Sequence, residues 1–262
     1  MSAIPAIFVS HGAPNLPIYP SSARDFLEQL GQFLPTPKGI LSISAHWETL
    51  TPAISTASSQ KTIHDFYGFP EELYRLQYPV AGDSVLSDRL ESLLKEQGYN
   101  AEIKEGRGLD HGVWVPLMLM YPHADIPTIQ LSLQLRGEPH YHFGLGRALA
   151  SLREEGILIL ASGSATHNLK ELAGNSLDAK PLNWVTQFSD WLNDAVANNQ
   201  WETLLNYRDR APYALRNHPT EEHLLPLFVA MGAGGEGAIG KVLHSSFTYG
   251  VLSMAAFSIS NE

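Results

Sequence analysis

IPAIFVSHG, residues 4–12, reads as a buried strand that ends on a histidine. Ile4, Ile7, Phe8 and Val9 lack the in–out alternation of a half-solvated strand, so both faces are expected to be covered. Two other runs repeat the pattern. GILSIS, residues 39–44, is followed by Ala45-His46-Trp47. ILILAS, residues 157–162, leads through Gly163-Ser164-Ala165-Thr166 to His167-Asn168. TIQLSL at 128–133 reads as a fourth strand, and the alternation from Ser245 to Ile259 as a bent strand or a hairpin.

Helical patterns lie between these runs. Phe26, Leu27, Leu30, Phe33 and Leu34 share one face of a segment starting near Ser21. Val85, Leu86, Leu90, Leu93 and Leu94 do the same, with Gly98 as the stop. A third helix is expected over His142–Glu155, ending at Gly156, and a fourth around Trp184, Phe188, Trp191 and Leu192. A fifth is expected to start near Pro219 or Thr220 and to carry Leu224, Leu225, Leu227 and Phe228, with Pro226 near its start. Gly232 to Gly240 is expected to be a loop. Strands alternating with helices predict a three-layer α/β/α fold around a mostly parallel or mixed sheet. No repeat or linker divides the chain, so one catalytic domain over residues 1–262 is expected.

Bulk properties narrow the function classes. The chain has 262 residues, of which 44% are hydrophobic and 17% charged, an ordinary balance for a folded protein. A net charge of −10 argues against nucleic acid or an anionic membrane as partner. No apolar run approaches a membrane span, and no signal peptide is visible, so a cytoplasmic location is the default expectation. A monomer or a homodimer is equally compatible. Cysteine is absent, which excludes a thiolate nucleophile and sulfur ligation. Any metal must take nitrogen or oxygen donors.

The placement of the histidines carries the chemistry. In open α/β sheets, ligands bind beyond the carboxyl ends of the strands. His11, His46 and His167 follow three such ends and are expected to converge, and neutral imidazole is the commonest metal ligand. The plain alternative for each is a hydrogen-bonding turn residue. His223, in His218-Pro219-Thr220-Glu221-Glu222-His223, is a fourth candidate, and Glu222 is a rival oxygen ligand. His111, in Gly108-Leu109-Asp110-His111-Gly112, lies in a loop shaped to present a side chain, or in a turn that Asp110 caps. His64 opens His64-Asp65-Phe66-Tyr67-Gly68-Phe69-Pro70, which either walls a pocket for a flat ring or anchors the core. His123, His140, His142 and His244 have no supporting context.

These motifs, in order, resemble the class III extradiol ring-cleavage dioxygenases, the superfamily of the protocatechuate 4,5-dioxygenase catalytic subunit, and within it the 4,5-DOPA dioxygenase branch. The likeness rests on His11-Gly12-Ala13-Pro14, Ser44-Ala45-His46-Trp47, the 64–70 string with Leu73-Tyr74 and Tyr78-Pro79, Leu109 to Trp114, Tyr121-Pro122, Ala124 to Pro127, Ser162-Gly163 with His167-Asn168-Leu169, and Glu222-His223 with Leu225-Pro226-Leu227. It departs from the family pattern at Ala13 and at Tyr78-Pro79-Val80-Ala81-Gly82.

The resemblance implies His11, His46 and His223 as metal ligands. It implies His167 as a further ligand or as the acid/base, and His111 as a neighbouring catalytic histidine that donates a hydrogen bond. His64, Phe66, Trp47 and Asp110 are expected around the substrate. Fe(II) is the implied cofactor for turnover, Zn(II) an alternative occupant, and the implied partners are a small catechol and O2. A zinc-dependent hydrolase on the same fold is the rival reading.

Overall fold

Six strands form the central sheet: β1 (Ala6–Ser10), β2 (Gly39–Ser44), β3 (Thr128–Gln130), β4 (Ile157–Gly163), β5 (Ile239–His244) and β6 (Ala256–Ser260). The structure, a computed structural model, describes residues 3–172 and 174–261. The sheet order is β3-β2-β4-β1-β6-β5. Strands β3, β2, β4 and β1 are parallel, whereas β6 and β5 add on antiparallel.

The apolar runs bury both faces. Phe8, Leu41, Ile43 and Ile159 point into a layer formed by α2 (Ser84–Glu96), α4 (Pro139–Leu149) and α6 (Leu225–Ala233). Ile7, Val9, Ile40, Leu158 and Leu160 point the other way, onto α1 (Ser22–Phe33) and α3 (His111–Met120). The period-2 geometry of a strand sorts neighbours in each run to opposite layers. A fifth helix, α5 (Asn183–Ala197), packs against β5 and contributes to both layers. The expected three-layer α/β/α arrangement is the one observed.

Register positions the site. Ser44 lies opposite Ser162, and Ser10 opposite Gly163. The three strands therefore end level, and the residues after β1 and β2 begin at one edge of the sheet. Local signals set the helices: Ser21 accepts from Arg24 N at the start of α1, Asp83 accepts from Leu86 N at the start of α2, and Gly98 takes φ +82° just after α2.

Several elements differ from expectation. Helix α3 was not foreseen. Residues 113–117 are all buried, so the segment is apolar on every side and shows no periodicity. The helix expected over His142–Glu155 starts earlier, at Pro139, and ends at Leu149 in a 3-10 turn, Ala150–Arg153. The last helix starts at Leu225, not near residue 220, which leaves His223 in the turn before it. The glycine-rich stretch does hold the expected loop, but a shorter one, residues 234–238, since α6 runs through Ala233 and β5 starts at Ile239. The run 128–133 divides into Thr128–Gln130 and Leu133–Gln134. The final stretch holds a short antiparallel pair, Phe247–Thr248 with Leu252–Ser253, before β6. Among the described residues no helix is long and apolar enough to cross a membrane.

His142 is fully buried and locked between two backbone groups. Its Nδ1 lies 3.1 Å from the Glu138 carbonyl, to which it must donate, and its Nε2 accepts from Gln134 N at 3.2 Å. That pattern needs a neutral ring, and burial lowers its pKa from 6.5 to about 4. A depressed folded-state value means the contribution is complete above pH 6.5 and is lost as pH falls towards 4. Between pH 7 and 4.5 this group should remove about 2–3 kcal/mol of stability. Urea unfolding of the wild type and His142→Gln at both pH values measures it: the variant should show a correspondingly smaller pH-dependent loss.

Candidate metal centre and active site

The chain leaves β1 at Ser10 and delivers His11 into the protein, where it is almost wholly buried. Its backbone N–H donates to the Gly163 carbonyl at the end of β4, 3.0 Å away. After β2, the Ser44 hydroxyl accepts from His46 N at 3.1 Å and donates to Asp110 Oδ1 at 2.6 Å. His223 comes from the opposite layer. Its carbonyl accepts from Ser164 N at 2.8 Å and sits so close to the Gly163 Cα that a Cβ there would collide with it. Gly112 plays the same part under His46: a Cβ would meet the Ser44 hydroxyl and lie 3.0 Å from His46 Cδ2. Only glycine permits these two approaches.

The three rings gather into one cluster. Centroids are 5.0 Å apart for His11–His46, 5.5 Å for His11–His223 and 5.0 Å for His46–His223. Each ring has an oxygen partner at Nδ1. His11 Nδ1 is 3.0 Å from Ser162 Oγ, His46 Nδ1 is 3.4 Å from Asp65 Oδ2, and His223 Nδ1 is 2.9 Å from Glu222 Oε1. Ser162 Oγ itself donates to the Gly112 carbonyl, so it must accept from His11. Pro116 explains why that carbonyl is free: it stands four residues on in α3 and has no N–H to offer. The committed hydroxyl and the Glu222 carboxylate thus draw the protons of His11 and His223 to Nδ1, the Asp65 carboxylate 3.4 Å from His46 Nδ1 favours the same placement there, and the Nε2 lone pairs are left facing inward.

Those inward nitrogens suit a cation. His11 Nε2 and His46 Nε2 are 3.2 Å apart, and His223 Nε2 is buried without a hydrogen-bond partner. Donor atoms of all three residues lie within 4.8 Å of one another. Two imidazole nitrogens bound at about 2.1 Å to one ion can be no more than about 4.2 Å apart, so the set needs little adjustment. Bare lone pairs at this spacing repel, and a divalent ion removes the repulsion. The rings are also in the ligating state. Burial first, and then the neighbouring histidines, push His11 and His223 well below the ordinary value. Burial takes His46 down to about 3 in spite of the Asp65 carboxylate.

His167 stacks on His223 at 3.4 Å between centroids and 10° between planes. It also lies within ligating range of Glu222 and His223, and burial lowers its pKa to about 4. His111 sits 4.1 Å from His46, ring to ring. Asp65 Oδ1 takes both its backbone N–H at 3.0 Å and its Nδ1–H at 2.9 Å. Burial alone would raise the Asp65 carboxyl, but His111 and His46 outweigh it and hold the group below the usual carboxylate range. A neutral His111 therefore presents an accepting Nε2. It can donate there, the role anticipated from the sequence, only when doubly protonated.

A cavity of about 480 Å³ opens onto the cluster. His11, His46, His111, His167 and His223 form its polar floor, and Phe66, Phe69, Leu169, Leu172, Tyr249 and Leu252 supply apolar walls. Of the four residues expected around a substrate, only Phe66 lines this cavity. Asp110 is turned away, buried between Ser44 and Arg107 Nη2 at 2.7 Å, because a buried carboxylate needs these partners. Trp47 lies beneath the Arg107 guanidinium, 5.3 Å from its ring centroid. His64 is tied to the Leu76 carbonyl at 3.0 Å and pins the aromatic loop.

Sequence reading passed over Asp65, Ser162 and Gly163 as functional positions. Asp65 was visible as the one carboxylate inside the 64–70 string. His218 was also passed over: it is buried with Nε2 2.9 Å from the Ala165 carbonyl, joining the segment after β4 to the turn before α6.

Comparison with known proteins identifies the family. Residues 1–258 match the family described as the catalytic LigB subunit of aromatic ring-opening dioxygenase. Among curated relatives, the 4,5-DOPA dioxygenase extradiol of Beta vulgaris is 42% identical over 258 residues, covering 97% of this chain and 96% of the relative. The proteins of the same name from Mirabilis jalapa and Escherichia coli K12 are 38% and 39% identical, covering 92% and 88% of this chain and 90% and 85% of their own lengths. A solved structure of an uncharacterized Escherichia coli K12 protein superposes with a TM-score of 0.81 at 32% identity, covering 97% of this chain and 99% of that one. The chain belongs to the LigB family of aromatic ring-opening dioxygenases. It is an enzyme of that class, and the hydrolase alternative has no support among these relatives.

The contact between Gly163 and His223 can be tested directly. Gly163→Ala should push the His223 turn outward, cost about 1–3 kcal/mol of stability and weaken Zn(II) binding by more than tenfold. Thermal unfolding and isothermal titration of the metal-free protein read the two effects.

Proposed function

We propose that this chain opens the ring of a small catechol by extradiol cleavage with O2, at a metal held by His11, His46 and His223. The observation that carries the reading is the convergence of three Nε2 atoms beneath an aromatic-walled cavity. The names of the relatives point to a DOPA-like catechol as substrate. Fe(II) held by His11, His46 and His223 would supply electron exchange between catechol and dioxygen, whereas Zn(II) in the same place would bring no redox chemistry.

The chain's own groups do the rest. Phe66 and Phe69 stand at 79° with centroids 5.3 Å apart and form a corner against which a flat ring can lie. The apolar walls exclude bulk water from the reacting ring. His167, neutral at physiological pH because burial disfavours its charge, takes a proton from a catechol hydroxyl and later returns it. His111, anchored by Asp65, presents Nε2 to the same space and moves a proton at that atom. The product is an aldehyde acid or its hemiacetal. Glu222 holds the proton on His223 Nδ1 and serves as an orienting partner, not as a ligand.

The test is oxygen uptake with added Fe(II) and a panel of catechols, DOPA and caffeate among them, with the ring-opened product followed by its yellow colour. His11→Ala, His46→Ala and His223→Ala should lose the metal and all uptake. His167→Ala should keep the metal and slow turnover by roughly 10²–10⁴-fold. Loss of metal from His167→Ala would make that residue a ligand, and no uptake by the Fe(II)-loaded wild type with any catechol would refute the reading.

A further inference from the structure

Asp65 reaches two histidines of the cluster at once. Oδ1 accepts from both the backbone N–H and Nδ1 of His111, which fixes that ring's position and its orientation. Oδ2 lies 3.4 Å from Nδ1 of His46. The same loop carries Phe66, whose ring meets His111 edge-on at 5.8 Å and 89°. The loop is held to the start of α3 by the Thr62–Leu109 bridge and by the Trp114 indole N–H, which donates to the Ile63 carbonyl at 3.0 Å. Asp65 is part-exposed on the cavity wall, yet Oδ1 is hydrogen-bonded to one imidazole and Oδ2 lies within ion-pair distance of another.

We propose that Asp65 is a positioning residue that serves two functions through one carboxylate: it holds His46 in its metal-ligating tautomer and sets the direction in which His111 presents Nε2. This rests on the reading of His46 as a ligand and of His111 as a catalytic group. The physical reason is that an ionised carboxylate can only accept. It therefore requires a proton on Nδ1 of both rings and leaves both Nε2 atoms bare. A carboxamide cannot do this for two rings. Its oxygen can serve one, and its N–H2 then opposes the Nδ1–H of the other and moves the proton to Nε2, where it blocks the ligand lone pair. Partners of metal-bound histidines of this kind typically change metal affinity by 10–100-fold.

The experiment is a double-mutant cycle on the full chain with Asp65→Asn, His111→Ala and the combination. Co(II) is the probe for affinity, titrated into chelator-treated protein and followed by its visible absorption. Fe(II)-saturated turnover gives kcat and KM. Asp65→Asn should weaken Co(II) binding by about 10–100-fold and by the same factor in the His111→Ala background, because that effect passes through His46. It should lower kcat at least tenfold with little change in KM in the wild-type background, and should lower it no further once His111 is absent.

Co(II) affinity and spectrum unchanged in Asp65→Asn, or kcat losses that multiply across the cycle, would overturn the proposal. Asp65→Ser goes through the same cycle, so the result does not depend on one variant folding. If the wild type proves to consume no oxygen with any catechol, the functional reading fails, and the Co(II) titrations alone still decide whether Asp65 acts on His46.

Discussion

Inward-facing lone pairs on three buried imidazoles are the constraint around which this end of the molecule is built. Burying neutral rings with unpaired nitrogens costs stability unless something satisfies them. The protein commits each ring by occupying its outer nitrogen. Ser162 and Glu222 take the Nδ1 protons of His11 and His223 and the Asp65 carboxylate faces Nδ1 of His46, so the remaining need is concentrated at one point that a divalent ion can meet. Neutrality of the cluster follows from the same burial that makes it expensive, since three charged imidazoles could not share this volume.

The supports for these three partners run deep into the fold. Ser162 is a β4 residue whose hydroxyl is set by a helix carbonyl, and that carbonyl is free because Pro116 breaks the ladder of α3. Glu222 stands in the turn that Gly163 admits against β4. Asp65 belongs to a loop stitched to the segment before α3. Histidine cluster, aromatic wall and the entry to α3 are therefore one packed unit, and a displacement at any of them reaches the others. The cavity inherits its shape from this unit: Phe66 and Asp65 are neighbours in the chain, one forming apolar wall and one facing the histidines.

Much of this was legible in the amino-acid sequence. The central strands are nearly uninterrupted apolar runs because both of their faces are buried, and such runs advertise themselves. Histidines placed just beyond their ends had to fall at one edge of a parallel sheet, and His11, His46 and His167 could be selected on that ground alone. His223 and His111 stood out by their context as further candidates, and the motif resemblance gave them their roles. What sequence could not convey was the direction of each side chain. His64 and His111 look alike as loop histidines beside an aspartate, yet one is spent on a backbone carbonyl and the other faces the cavity. Asp110, adjacent to His111, points the opposite way into a buried polar cluster with Ser44 and Arg107.

The sequence by itself thus determined the layered architecture, the absence of sulfur chemistry and the identity of the clustered imidazoles, because hydrophobic pattern and residue type are local properties. Tertiary structure decided which nitrogen of each ring faces inward, that α3 exists at all, and that Asp65 links His46 to His111. These depend on contacts between segments far apart in the chain: Ser162 with Gly112, Gly163 with His223, Asp65 with His46 and His111. No periodicity within one segment encodes where a partner from another will stand, and proton placement on an imidazole is fixed only by that partner.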